Sequence, residues 1–168
     1  TLHQFFAALR EESANLPEVD RELNFTLRGC YASAAHFKFA YRKTESLLLE
    51  SERTSSVISA ALDMAAPSLD EAWASLLFNT FHDILPGSSI ERAYDDQHAW
   101  LGIASHHAQV ARLTAINALA ATLDTRVPAP ALDMPSAVPV LLWNPHPEPF
   151  SGCVEVEAGL DYRPISAY

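Results

Sequence analysis

This sequence predicts a mainly α fold: a three-helix bundle, then a proline-rich linker and the first strands of an incomplete β domain. Apolar residues recur at helical spacing through 33–64 and 69–84, and alanines fill the inner positions of 90–123. Pro67-Ser68 and Pro86-Gly87 cut this pattern into segments with short connections, as in an up-down bundle. Beyond Asp124, Pro128, Pro130, Pro135 and Pro139 exclude helix, and strand-like segments follow. The expected division is 1–20 as a lead-in helix or the tail of a preceding domain, 21–126 as the bundle, 127–138 as the linker, and 139–168 as the start of a β-sandwich-like domain.

In chain order, Leu2, Phe5, Phe6 and Leu9 form one stripe over 2–13, and Asn15-Leu16-Pro17 ends it. Residues 22–27 alternate in extended fashion and close at Gly29. Along 33–64, Phe37, Tyr41, Thr44, Leu48, Val57, Ile58 and Leu62 fall near one face, interrupted by a polar run over 50–56. Ser68 and Glu71 have capping-box spacing, and Leu69, Ala72, Trp73, Leu76, Leu77, Phe81 and Ile84 then make a stripe. Proline restricts Leu85 and glycine permits a turn, so the helix is expected to stop at Pro86-Gly87. Ser88-Ser89-Ile90-Glu91 repeats the capping box and opens a helix to about residue 123. Residues 140–143 and 154–157 read as two strands around a turn-rich 144–149; a pair alone is marginal in water, so further strands are expected elsewhere.

The 168 residues suffice for one domain with a core, and 49% hydrophobic with 19% charged residues indicates a globular chain. A net charge of −10 without a Lys/Arg cluster argues against nucleic acid and anionic lipid. No apolar run reaches the ~20 residues of a membrane span, and no signal-peptide pattern opens the chain. Cys30 and Cys153 lack metal-type spacing and read as unbridged thiols of a reducing, cytoplasmic setting. The opening Thr1-Leu2-His3 and the closing Ile165-Ser166-Ala167-Tyr168 both read as cuts through a longer polypeptide.

The unusual stretch is FNTFHDILPGS, residues 78–88. On a helical wheel with Leu69 at zero, the apolar stripe centres near ~35° and His82 falls near ~220°, away from the bundle. Two readings stay open. His82 is a solvent-facing histidine at a helix C-terminus, favoured there when protonated. Alternatively it is a metal ligand, with Asp83 beside it to bind metal or substrate. A zinc site needs three or four protein ligands, and no other His or Cys stands at ligand spacing, so the remainder would come from outside this chain.

The other candidates carry less. His106 and His107 diverge by ~100° on a helix, and His98 is too far from His106 to share a face. Asp95-Asp96 diverge in the same way and cannot face each other across a glycosidic bond. Trp73, Trp100 and Trp143 read as core rather than sugar platforms, Trp73 most clearly. No catalytic Ser/His/Asp set, phosphate loop or glycine-rich cofactor motif is present.

Two segments resemble glycoside hydrolase family 38, the α-mannosidases. Residues 22–33, ELNFTLRGCYAS, are similar to the pattern that opens the family's middle domain, and 78–90, FNTFHDILPGSSI, to its FNQFHDILPGTSI. Leu142-Trp143-Asn144-Pro145 resembles the start of its C-terminal β-rich domain. The resemblance implies a piece of a zinc-dependent retaining α-mannosidase acting on α-mannosides. It implies His82 as one ligand of a single zinc ion and Asp83 as a sugar contact, with no catalytic residue in this chain. The other ligands and the aspartate nucleophile would lie in an N-terminal α/β barrel, so the fragment alone would be inactive and its partners would be that barrel, the β domain and the substrate. Ala32 stands where the family usually has Thr, and Thr80 where it usually has Gln. A same-family hydrolase of mannosylglycerate and a non-catalytic helical interaction module are the alternatives.

Overall fold

Buried positions of the two long helices fall at heptad spacing. The computed structural model describes residues 1–22, 27–129 and 137–157. Among them, helices α1 (Leu2–Glu12), α2 (Gly29–Ala32), α3 (Ala35–Ala61), α4 (Asp70–Phe78) and α5 (Glu91–Ala121) account for all α structure. In α3 the buried stripe is Phe37, Tyr41, Thr44, Leu48, Ser51, Ser55 and Ile58; in α5 it is Gln97, Leu101, Ala104, Ala108, Ala111 and Ala115. Steps of four and three keep one seam facing its partner over many turns.

The cross-contacts fix the direction. Phe37 meets His98 (5.3 Å between centroids), Thr44 and Ser105 share a hydrogen bond of 3.1 Å, and Arg112 donates to Glu50 at 2.8 Å. Both numbers of each pair rise together, so α3 and α5 run parallel. The large side chains of α3 are thus level with the alanines of α5, Leu48 with Ala108, which permits close approach without voids. Leu48, Ala104 and Ala108 are fully buried. Burying a leucine of this kind is worth about 1.5–3 kcal/mol.

The short α4 runs antiparallel to both. His107 and Glu71 approach to 3.8 Å at its start, and Phe78 stacks on Trp100 at 5.2 Å at its end. Leu69, Ala72 and Leu76 enter the core, while Trp73 is half-buried and its indole N–H donates to Glu52. In chain order the three helices thus run up, down and up, and the chain is mainly helical, as expected. Its polar run is part of the seam: Ser51, Thr54, Ser55 and Ser59 are buried. The Ser51 and Ser55 hydroxyls donate to the carbonyls of Leu47 and Ser51, which satisfies them within the helix.

Several expectations need correction. Helix α4 ends at Phe78 and not at Pro86: Asn79, Thr80 and Phe81 make i→i−3 bonds to Leu76, Leu77 and Phe78, and the buried Asn79 amide donates to Ser75 O. Leu77, still within α4, and Phe81 beyond it are exposed, while Ile84 reaches the core from a turn. Neither capping box forms. Ser68 Oγ accepts from the Asp70 amide rather than that of Glu71, and Ile90, without a side-chain cap, precedes α5. On α3, Val57 is exposed and Leu62 only half-buried.

The expected strands 140–143 and 154–157 form no ladder, and no strand occurs among the described residues. The proline-rich turn between them does not hold a tight hairpin, and two strands without a third gain too little. This segment lies instead on the far half of α3, where Trp143 donates its indole N–H to Thr54 Oγ1 (3.1 Å) and Arg53 donates to His146 Nδ1 (3.0 Å). The extended reading of 22–27 falls largely on residues outside those described. Helix α1 forms as expected through a Thr1/Gln4 capping box, but buries no residue. Cys30 and Cys153 are unbridged, and no helix among the described residues is long and apolar enough to cross a membrane.

Candidate functional site

The two unusual sequence segments meet at one end of the bundle. After Phe78 the chain descends alongside the first turns of α3 and α5 as a series of turns through Gly87. Ile84 is buried and Leu85 packs against the core, anchoring the loop from below. The Tyr94 hydroxyl on α5 lies 3.1 Å from the carbonyl of Ile84, to which it donates, and accepts from the Ser89 amide at 3.4 Å.

The α3 side supplies a second set of ties. Ser33, between α2 and α3, has its hydroxyl 3.1 Å from the Pro86 carbonyl and 3.0 Å from that of Gly87. The ammonium of Lys38, one turn into α3, donates to the carbonyls of Cys30, Ser33 (2.5 Å) and Pro86 (3.2 Å). Three donors of one ammonium thus meet three carbonyls. Gly87 has φ +89°, and a Cβ there would stand 2.1 Å from Ser33 Oγ. Only glycine meets both demands. Sequence reasoning did not find Ser33, Lys38 or Tyr94, because their contacts span separations that leave no local period.

With its backbone tied inward, the loop presents His82 and Asp83 to solvent. The His82 side chain is 78% exposed and that of Asp83 53%, with Nε2 and Oδ2 3.5 Å apart. The Phe81 ring packs on the imidazole at 4.2 Å, and Ser88 Oγ donates to Asp83 Oδ1 at 3.4 Å. His82 therefore faces away from the bundle, as the wheel implied, although a turn and not a helix puts it there. Among the described residues, no three His, Cys, Asp or Glu side chains converge as a metal site. The open cavity of about 540 Å³ beside the Lys38 clamp is lined by Cys30, Lys38, Leu85 and Pro86, but by neither His82 nor Asp83. The pair is a surface feature with donors on one side only.

The remaining candidates do not join it. His107 approaches Glu71, and His106 is exposed on the next position of α5. His98 packs against Phe37 and His36. Asp95 and Asp96 are exposed on α5. Trp100 is 41% exposed against Phe78, so it is a surface stacking partner and not core.

The family described as alpha mannosidase middle domain matches residues 26–119. Alpha-mannosidase G of Dictyostelium discoideum is 37% identical over 95 residues, 55% of this chain and 9% of its own length. Alpha-mannosidase 2C1 of Mus musculus is 35% identical over 97 residues, again 55% and 9%. The alpha-mannosidase of Saccharomyces cerevisiae is 35% identical over 85 residues, 48% of this chain and 8% of its own length. The chain thus spans less than a tenth of the length of these relatives. No solved structure matches it significantly. The matched region takes in the Lys38 clamp and the His82 loop together with the parallel α3–α5 pair, and the chain belongs to the α-mannosidase middle-domain family.

Proposed function

We propose that this chain is the middle domain of a zinc-dependent retaining α-mannosidase, to which it contributes one metal-ligand histidine, His82, and a sugar-contacting carboxylate, Asp83. The observation that carries the reading is their presentation. An imidazole and a carboxylate stand 3.5 Å apart on a loop whose backbone is tied to two helices, α3 and α5, yet both side chains face outward. A neutral imidazole nitrogen suits zinc as one ligand of a tetrahedral set, and the carboxylate beside it suits a sugar hydroxyl. The remaining ligands and the aspartate nucleophile belong to a catalytic barrel elsewhere in the polypeptide.

When bound, zinc supplies Lewis-acid anchoring of sugar hydroxyls. This chain's residues hold and orient. Packing against Phe81 limits the His82 ring, Asp83 offers a carboxylate to a sugar hydroxyl, and the bundle holds the loop that carries both. Retention follows from carboxylate attack and later hydrolysis of a glycosyl intermediate, steps carried by groups outside this chain. Two free thiols suit a reducing compartment and thus the cytoplasm.

In the full-length parent, His82→Ala is expected to lower zinc content and α-mannosidase turnover steeply while the helical signal of the bundle is unchanged. Normal zinc and turnover in that variant would end the metal assignment.

A further inference from the structure

We propose that Lys38 is a positioning residue for the metal half-site, setting zinc affinity through the loop that carries His82 without touching the ion. The inference rests on the reading of His82 as a ligand. Lys38 is half-buried, and its ammonium joins three backbone carbonyls from two chain segments, Cys30 and Ser33 on one side and Pro86, 53 residues beyond Ser33, on the other. Cys30 lies within the short α2 and Ser33 is its C-cap, positions whose carbonyls lack helical partners. Pro86 is four residues beyond His82. One cation therefore ties the end of α2 and the entry to α3 to the far end of the His82 loop.

Local geometry makes this tie decisive. Ala34, between Ser33 and α3, lies in the left-handed region at φ 48°, a conformation that persists only where its surroundings enforce it. Ser33 bonds the Pro86 and Gly87 carbonyls from the same side. The loop's other anchor, Tyr94, acts at Ile84 and Ser89. Without the ammonium, three carbonyls lose a charge-assisted partner together, and the Pro86 end of the loop is held by Ser33 alone. An arginine fork, planar and larger, does not match three carbonyls gathered about one point. Histidine ligands lose affinity when the groups that orient them are removed, typically by 10–100-fold.

The test uses the full-length parent with Lys38→Met and, separately, His82→Ala. The zinc dissociation constant is read by competition with a chromophoric chelator, and amide exchange is followed over 82–89. A cobalt-substituted sample reports ligand geometry through its visible spectrum. Lys38→Met is expected to weaken zinc by about 10–100-fold, to speed exchange in 82–89, and to shift the cobalt spectrum, with α3 and α5 protected as before. His82→Ala is expected to lose zinc altogether. Loss of zinc in His82→Ala alongside a wild-type constant and spectrum in Lys38→Met overturns the positioning role and leaves the ligand assignment standing. Zinc retained by His82→Ala overturns the ligand assignment itself. Should Lys38→Met fail to fold, Ser33→Ala, which removes the two bonds at Pro86 and Gly87, carries the same comparison with the same outcomes.

Discussion

Replacing Gly87 with alanine tests whether the His82 loop is locked as described. The new Cβ would stand 2.1 Å from Ser33 Oγ and 2.9 Å from Ser33 O. The second contact is with backbone, which a rotamer change cannot relieve. At φ +89° alanine also carries the left-handed penalty of about 1–2 kcal/mol. Moving the Ser33 hydroxyl aside forfeits the single donor it shares between the Pro86 and Gly87 carbonyls, worth about 0.5–1.5 kcal/mol. The combined loss is about 1.5–3.5 kcal/mol. Gly102 provides the control. It lies exposed within α5, where an added Cβ meets nothing within 4 Å, so Gly102→Ala should stabilise by about 0.8–1 kcal/mol. Urea unfolding followed by helical circular dichroism measures both. With a slope of about 1–3 kcal/mol per molar, Gly87→Ala moves the midpoint down by roughly 1–2 M and Gly102→Ala moves it slightly up. A Gly87→Ala midpoint at or above that of the wild type would refute the close approach of Ser33 and, with it, the lock.

The bundle and its titration give further expectations. Leu48→Ala, at a fully buried seam position, should cost about 2–5 kcal/mol by calorimetry, and Ala108→Leu opposite it about 1–3 kcal/mol. If the helices are in parallel register, the double variant loses less than the two single losses combined; strict additivity would place these residues apart. Burial, and then the nearby Glu45 carboxylate, hold the Tyr41 phenol above the usual tyrosine range, with Arg42 opposing. The fold therefore favours the protonated phenol. That contribution is intact below pH ~10 and is lost as pH rises through the elevated folded value. Tyr41→Phe should flatten this alkaline decline in thermal unfolding scans; an unchanged decline would assign it to other groups.

Much of the bundle was legible because its long helices obey one period. Phe37, Tyr41, Thr44, Leu48 and Ile58 fell on the expected face, and the alanines of α5 announced close packing. The run over 50–56 misled because burial was read from hydrophobicity. Ser51, Thr54 and Ser55 are buried for their size, their hydroxyls satisfied by carbonyls of α3 or by the Trp143 indole. The stripe from Leu69 to Ile84 misled in another way. A turn can return Ile84 to the core as well as a helix can, and the local side-chain bond from Asn79 to the Ser75 carbonyl, with the tightened bonds after it, ends α4 at Phe78. The expected strands were read from local residue type, and among the described residues no partner edge is present to pair them. At the site, His82 and Asp83 were legible from their motif. The groups that hold their loop were not, since Lys38 to Pro86 and Tyr94 to Ile84 are contacts of the folded chain and leave no pattern in sequence.

The central claim is that this chain supplies one side of a metal site completed by another part of its polypeptide. The most direct measurement is the zinc content of the full-length parent and of this chain purified alongside it, after dialysis against a weak chelator. Stoichiometric zinc in the parent and none retained by the chain is the predicted result. Zinc held tightly by the chain alone, or a parent that holds none, would contradict it.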